Sequence, residues 1–461
     1  MAKKACHSEL VSETNKGGES LPLARTSSLA TPSSGGHPRN APVDTLIEAP
    51  YELPEGWKWT RLGDVADWGS GGTPSRKNPE YYNGSIPWIK TGELNESYIF
   101  DSEEKISEEA INHSSAKLFP KETVVLAMYG ATIGKTAIFG IDASTNQACA
   151  CAICHKDLDN HYLFNFLKSK KDYFIYNAKG GAQPNISQEI IKDTIIPLPP
   201  TLAEQQRIVN RIETMFAKLD QAQEKAQAVL DNFETRKAAI LHKAFTGELT
   251  ANWRKENGVA DESWEEKYLK DICSKITDGT HNSPVNTEIG EFMYITAKNI
   301  KESGIDLTNI TFVTKEIHQE IYSRCNVEKG DVLYIKDGAT TGIATVNTLD
   351  EEFSMLSSVA DIKPIKGLLD SKYLAYVMNS SEVKAKMLNE MSGNAITRLT
   401  LVKIKNAEIP ICSLLEQQEI VRILDTVLEK ESRAKEAAQT VLDQIALLKK
   451  SILARAFRGK I

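Results

Sequence analysis

The chain has 461 residues, 55 Lys and Arg against 62 Asp and Glu, 41% hydrophobic residues and a formal net charge of −7. A length roughly three times a ~150-residue domain predicts several folding units, and the apolar fraction supports real cores, which excludes wholesale disorder. No stretch of about 18 uncharged apolar residues occurs, the Ser/Thr/Gly-rich start lacks an apolar signal core, and seven scattered cysteines make no disulfide framework. The expectation is a cytoplasmic protein without membrane association.

Residues 1–50 read as a flexible, low-complexity extension. Beyond them the chain is written twice, with a period a little over 200 residues. Trp57 and Arg61-Leu62-Gly63-Asp64-Val65 return as Trp264 and Tyr268-Leu269-Lys270-Asp271-Ile272. Gly72-Thr73-Pro74 is matched with Gly279-Thr280-His281, and Ile86-Pro87-Trp88-Ile89-Lys90 with Phe292-Met293-Tyr294-Ile295-Thr296. Gly130-Ala131-Thr132-Ile133-Gly134 returns as Gly338-Ala339-Thr340-Thr341-Gly342. Glu204-Gln205-Gln206 and Ala244-Phe245-Thr246-Gly247 return as Glu416-Gln417-Gln418 and Ala456-Phe457-Arg458-Gly459. A period this long is a domain duplication, not a solenoid.

Each copy changes texture part-way. Its first part has short β-rich runs broken by Gly, Asn and Pro, such as Thr123-Val124-Val125-Leu126-Ala127-Met128. Its second part, about 201–246 and 413–458, is rich in Ala, Glu, Lys, Gln and Leu, all strong helix formers. Alternating steps of three and four trace an apolar seam through Val209, Ile212, Phe216, Leu219, Leu230, Phe233 and Ile240. The second copy repeats it with Val421, Leu424, Leu428, Leu442, Ile445 and Ile452. A seam sustained over about six heptads predicts two long helices packed as a coiled coil. Polar residues interrupt it at matching places, Gln205 with Gln417, Gln223 with Lys435 and Lys237 with Lys449.

Such a helix is ~65 Å long at 1.5 Å per residue, while the Thr250–Ser263 connection reaches at most ~48 Å. The second β-rich part therefore belongs at the far end of the first helix, and the second helix must run back. The expected fold is α+β, with a β-rich domain at each end of an antiparallel helix pair and a pseudo-two-fold relation between the copies. The C-terminus returns to the first domain.

Two motifs tempt and fail. Tyr129-Gly130-Ala131-Thr132-Ile133-Gly134-Lys135-Thr136 has three residues between its glycines where a phosphate cradle needs four, so a turn between strands is expected. Cys149-Ala150-Cys151-Ala152-Ile153-Cys154-His155 suits haem attachment or zinc only superficially. On a strand Cys149 and Cys151 share a face and Cys154 takes the other, as small packed residues would. No metal site or cofactor is expected.

Five strings together resemble the specificity (S) subunit of Type I restriction–modification systems. They are Leu53-Pro54-Glu55-Gly56-Trp57-Lys58-Trp59, Gly71-Gly72-Thr73-Pro74-Ser75, Gly130 to Lys135, Ile196-Pro197-Leu198-Pro199-Pro200 with Glu204-Gln205-Gln206, and Ala244-Phe245-Thr246-Gly247-Glu248-Leu249-Thr250. The resemblance implies two target-recognition domains, 51–200 and 253–412, with conserved helical regions at 201–252 and 413–461. It implies a non-catalytic subunit that reads a bipartite, asymmetric site on double-stranded DNA. Two modification (M) subunits would dock on the helices and methylate adenine, and restriction (R) subunits would join the full complex. The Gly247-Glu248-Leu249-Thr250 link would help set the gap between half-sites. The second copy departs from the family pattern at Asp278-Gly279-Thr280-His281 and at Pro410-Ile411-Cys412-Ser413. A coiled-coil scaffold joining two protein-binding modules is the alternative, which explains the seam but not the polar loops.

Candidate DNA contacts are polar and basic residues in turns beside the landmarks, because Lys and Arg hold phosphates and Asn, Gln, Ser, Thr and Arg read base edges. In the first copy these are Thr73, Ser75, Arg76, Lys77, Lys90, Thr91, Lys135, Lys179, Gln183 and Asn185. In the second they are Thr280, His281, Asn282, Lys298, Asn299, Lys336, Thr340, Thr341, Asn394 and Arg398. Charge speaks against a simple basic surface: residues 54–200 sum to −3 and 258–413 to −6. Isolated affinity for DNA is expected to be weak and salt-sensitive.

Overall fold

The computed structural model describes residues 49–181, 184–260, 263–389 and 399–461, and Tyr51–Ile461 form one unit. Gln183, Asn394, Arg398 and all but the last two residues of the N-terminal extension lie outside the described residues.

Short apolar runs buried on both faces build a related sheet twice, of five strands and then four. In the first copy the strand order is Ala66–Ser70, Cys149–Cys154, Val124–Ala127, Thr136–Phe139 and Tyr98–Ile99. In the second it is Cys273–Asp278, Val359–Pro364, Val332–Ile335 and Ala344–Val346. Beside each lies a smaller sheet with one parallel pairing in common, Trp88 with Ser144 and Tyr294 with Ser354. Each copy closes with a two-stranded ribbon, Lys58–Arg61 with Ile195–Leu198 and Glu265–Tyr268 with Glu408–Ile411.

One sequence match shifts. Ser70 pairs with Ala150 and Asp278 with Ala360, so Gly71 corresponds to Gly279, one residue earlier than the Gly72–Gly279 match. A register break between Cys273 and Lys275 supplies the extra residue, as a β-bulge does. The packing agrees: a Cβ at Gly71 would fall 2.0 Å from the Thr145 carbonyl oxygen, and one at Gly279 would fall 1.9 Å from that of Met355.

The first long helix starts at an N-cap, Thr201, whose hydroxyl accepts from the Glu204 amide; Ser413 does the same for Glu416 in the second. The second helix runs unbroken over Leu414–Ala456, whereas the first is divided into Leu202–Asp231 and Phe233–Phe245. This bend corrects the expectation of one continuous heptad helix. Asn232 sits at the break: its backbone N–H keeps the Ala228 carbonyl at 3.2 Å and its amide Nδ2 adds a second donor to the same oxygen at 2.8 Å, while Arg236 Nη2 donates to the Val229 carbonyl at 3.3 Å. Side-chain donors thus take up carbonyl capacity around the break.

Direction is read from the cross-helix pairs. Lys449 meets Asp220 at 2.5 Å, Lys435 meets Glu234 at 3.9 Å, and Arg236 meets Glu431 at 2.9 Å. Partner numbers fall as helix-one numbers rise, so the helices are antiparallel. Seam residues Val209, Ile212, Leu424 and Ile445 are buried, and the other nine are half-buried.

Each helix begins on its own copy and ends in the core of the other. Leu453, Ala456 and Phe457 complete the core around Tyr162 and Phe166, while Leu241 and Ala244 complete the core around Tyr373. Phe457 stacks edge-on to Tyr162 at 5.1 Å, and Phe245 to Tyr373 at 5.6 Å. The end of the second long helix also meets the strand-entry segment of the first copy: the Tyr51 hydroxyl donates to the Phe457 carbonyl at 2.9 Å.

The two tempting motifs resolve as packing. Gly130 to Lys135 join two antiparallel strands, with positive φ of 62° at Gly130 and 82° at Gly134. Cys149 and Cys151 face one apolar cluster and Cys154 packs against another, and burial pushes the Cys151 thiol up to about 12.

Candidate nucleic-acid interface

In the first copy the structure gathers the candidates into two clusters. The Thr73 hydroxyl donates to Gln147 Oε1 at 2.6 Å, and the exposed Ser75 accepts the Lys77 amide at 3.4 Å. The Arg76 guanidinium lies 4.0 Å from the Tyr82 ring centroid and 5.4 Å from that of Trp88. Trp88 is itself fixed by a hydrogen bond from Nε1 to the Gly72 carbonyl at 3.0 Å. Arg76 pairs with Glu104 at 2.6 Å, and Lys90 with Glu104 at 3.0 Å and Glu103 at 3.2 Å. Arg76 and then Lys90 hold the Glu104 carboxyl down to about 2. Thr91 opens the short turn that follows Lys90.

The second cluster surrounds the glycine turn. Lys179 and Asn185 exchange both backbone hydrogen bonds at 2.8 Å, and Gly130 donates to the Pro184 carbonyl at 2.8 Å. Lys135 ends the same turn, its amide donating to the Thr132 carbonyl at 2.9 Å. Tyr129 and Tyr176 are exposed beside it, to 43% and 85%.

In the second copy two candidates, His281 and Lys336, meet Asp278, which is buried at the end of its strand. Arg324 donates to Asp278 at 2.6 Å and meets His281 Nε2 at 2.8 Å. Lys336 is buried between Asp337 at 3.0 Å and Asp278 at 3.5 Å. Thr280 closes its own turn on Asn282 at 3.1 Å. Lys298 and Thr340 are exposed, whereas Thr341 is buried and donates to the Gly338 carbonyl at 2.7 Å. Asn299 is also committed internally. Its Oδ1 accepts from Thr296 and its Nδ2 donates to the Asp306 carbonyl at 3.1 Å, which pins the loop rather than presenting an amide.

Glu104, Tyr82, Asp278 and Arg324 are absent from the sequence-derived set. Acidic side chains orient the cations here, which residue type alone does not signal. Arg324 ends an amphipathic helix, Lys315–Arg324, and only its fold neighbour Asp278 distinguishes it from any solvated arginine.

The architecture defines a two-headed recognition protein: two related β-rich heads, each with a polar loop cluster, held on an antiparallel spacer. Residues 54–230 and 261–441 match the family model described as the Type I restriction modification DNA specificity domain, and the chain belongs to that family. It is 24% identical to the Escherichia coli EcoBI specificity subunit over 332 residues, 68% of each chain. It is 26% identical to the MjaIX specificity subunit of Methanocaldococcus jannaschii over 371 residues, 77% of this chain and 83% of that one. The crystal structure of the HsdS subunit from Thermoanaerobacter tengcongensis shares the fold, with TM-score 0.59 and 20% identity, covering 90% of this chain and all of that one, 100%. A chain from work on assembly and conformational transition of the type I R-M system gives TM-score 0.69 at 20% identity, over 89% and 100%. The protein is a Type I specificity subunit, a non-catalytic component whose task is recognition of DNA sequence; the enzymatic activities belong to the M and R subunits. Among the described residues no helix is long and apolar enough to cross a membrane.

Proposed function

We propose that this subunit reads a bipartite, asymmetric DNA target, one half with the head at 51–200 and the other with the head at 253–412, and positions adenine-methylating M subunits between them. The antiparallel pairing of the spacer carries the reading. It relates two heads of the same fold by a pseudo-two-fold, as a duplex relates two inverted half-sites. Their loops differ, Arg76 and Lys90 in one and Arg324 and His281 in the other, so the half-sites differ in sequence.

Two M subunits dock along the helices, and R subunits complete the assembly. Support comes from large apolar side chains facing solvent on the second helix, Leu415 at 71%, Leu447 at 67% and Leu448 at 48% exposed. The acidic balance of both heads leaves much of the clamp around DNA to the partners.

Methylation mapping in a host carrying this subunit with its M partner tests the reading. The expected result is one two-part motif with a fixed unread gap. A single contiguous motif, or methylation without sequence preference, would refute it. Purified subunit alone should bind DNA far more weakly than the complex at physiological salt.

A further inference from the structure

Resting on that reading, we infer that the spacer offers its two M subunits unequal sites. The end beside the first head holds its M subunit the more tightly, by taking an apolar side chain into a groove there. The groove has a volume of about 590 Å³ and lies between the first head and the spacer, with Phe216 of the first helix and Leu453 of the second in its lining. Lys450 and Ala454 line it as well. Leu447 stands on their face of the helix, one turn before Lys450, and is 67% exposed. Leu448 beside it is 48% exposed, and Val441, two turns earlier on the face of Leu448, is 37% exposed.

The chemistry of the walls selects a protein side chain. The carboxylates of the groove are held from within: Glu96 by Lys168 at 3.2 Å and Lys171 at 3.5 Å, Asp172 by Lys450 at 3.0 Å, and Asp220 by Lys449 at 2.5 Å. Lys168 and Lys449 also lie over the Phe216 ring, 5.7 and 5.8 Å from its centroid. Each lysine has a counter-charge at hand, and what the groove leaves uncovered is apolar surface. Single exposed leucines are ordinary, but apolar side chains gathered at the lip of a groove mark an interaction site.

The other end of the spacer is built differently. Matched from Gln205 with Gln417 to Ile240 with Ile452, the first-helix residues that correspond to Leu447, Leu448, Lys450 and Ala454 are Thr235, Arg236, Ala238 and His242. Thr235 is exposed and polar, Arg236 is turned onto Glu431 at 2.9 Å, and His242 meets Glu382 of the second head at 2.7 Å. Lys237, the counterpart of Lys449, pairs with Glu302 of the second head and ties head to helix, where the first head leaves its groove open. The first helix is also interrupted here, at Asn232, while the second runs on through Gln444. Covering apolar surface is favourable and covering polar groups without partners is not, so one partner meeting both surfaces binds them unequally.

The test titrates the full-length subunit with its methyltransferase partner and counts the species by native mass spectrometry. Wild type should pass through a complex with one M subunit before the second adds, with dissociation constants more than about tenfold apart. Leu447→Glu should weaken the tighter constant by about tenfold or more, leaving the two close together. Thr235→Glu, at the matching place, should leave the tighter constant unchanged. Equal constants in wild type, a tighter constant insensitive to Leu447→Glu, or one lost in Thr235→Glu instead, would each overturn the inference while leaving the two-part reading intact. Sedimentation of the subunit alone checks the occupant: a self-associated species that Leu447→Glu dissolves would give the groove to a second copy of this chain and overturn the assignment. Failure of wild type to bind any M subunit would sink the docking reading beneath it instead. Circular dichroism reports folding, and Leu447→Ser takes the place of the glutamate variant should that variant lose helicity.

Discussion

Arg254 and Glu416 form a buried ion pair at 2.7 Å, one from the link that leaves the first long helix and the other from the first turn of the second. Arg254 Nη1 also donates to the Gly247 carbonyl at 2.8 Å, while Thr250 and Trp264 donate to the same Glu416 oxygen at 2.6 and 3.2 Å. The interdomain link is therefore knotted to the spacer. The matching Glu204 at the other end meets the exposed Arg207 at 2.9 Å, which reaches on to the Ile461 carbonyl at 3.2 Å.

Replacing either partner of the buried pair by Ala should cost about 3–5 kcal/mol, because the other charge is stranded. Arg207→Ala at the exposed end should cost less than about 1 kcal/mol. Thermal or urea unfolding checks both, and equal losses at the two ends would contradict the difference in burial.

Phe457→Ala should loosen the first head, although the residue caps the helix that starts on the second, and Phe245→Ala the second. Each removes a ring stacked on a buried tyrosine, worth about 3–5 kcal/mol. Hydrogen exchange is the readout. Protection should fall in Asn160–Ser169 for the first variant and in Ser371–Asn379 for the second.

Glutamate at Leu230 and at Leu442 should open the spacer, since both side chains are half-buried in it and a buried unpaired carboxylate costs a few kcal/mol. Circular dichroism should show lost helicity, and the M partner should no longer co-purify. Retention of both would argue against a seam at these positions.

Asp361→Asn should stabilise the second head at neutral pH. Asp361 is fully buried, occupying the rung that Cys151 holds in the first copy, and among the described residues no N–H or O–H donor reaches its carboxylate other than through the neighbouring Asp331. Burial, reinforced by the nearby Asp331, raises its pKa well above the carboxylate range. The unfolded chain releases this proton near pH 4 and the native one holds it, so wild-type stability falls as pH rises from there to the raised value. The asparagine variant loses that slope, and its advantage should grow with pH to on the order of a few kcal/mol. A constant difference across the range would remove Asp361 as the source.

The polar clusters were partly legible. Arg76, Lys90, His281 and Lys336 were marked because basic and polar residues in turns are what DNA recognition uses, and folding brings each beside a carboxylate. Asn299 and Thr341 carry the same residue chemistry but spend it on their own loops, a distinction that lies in hydrogen-bond geometry. Arg324 escaped because its partner Asp278 is 46 residues away.

Duplication, helical period and turn chemistry are written locally, so the sequence alone determined two β-rich heads on long helices, and the short link after the first helix determined that they run antiparallel. Gln205 and Gln417 broke the seam for a reason visible only in the fold. Their amides accept from the backbone of Asp159 and Asp370 at 2.8 Å and anchor the spacer to the heads. Tertiary structure also decided the bend at Asn232, the one-residue shift at the second glycine loop and which arginine is backed by which acid. The arginine–acid pairings join groups distant in the chain, and the bend and the shift are settled by hydrogen-bond geometry that no residue pattern records.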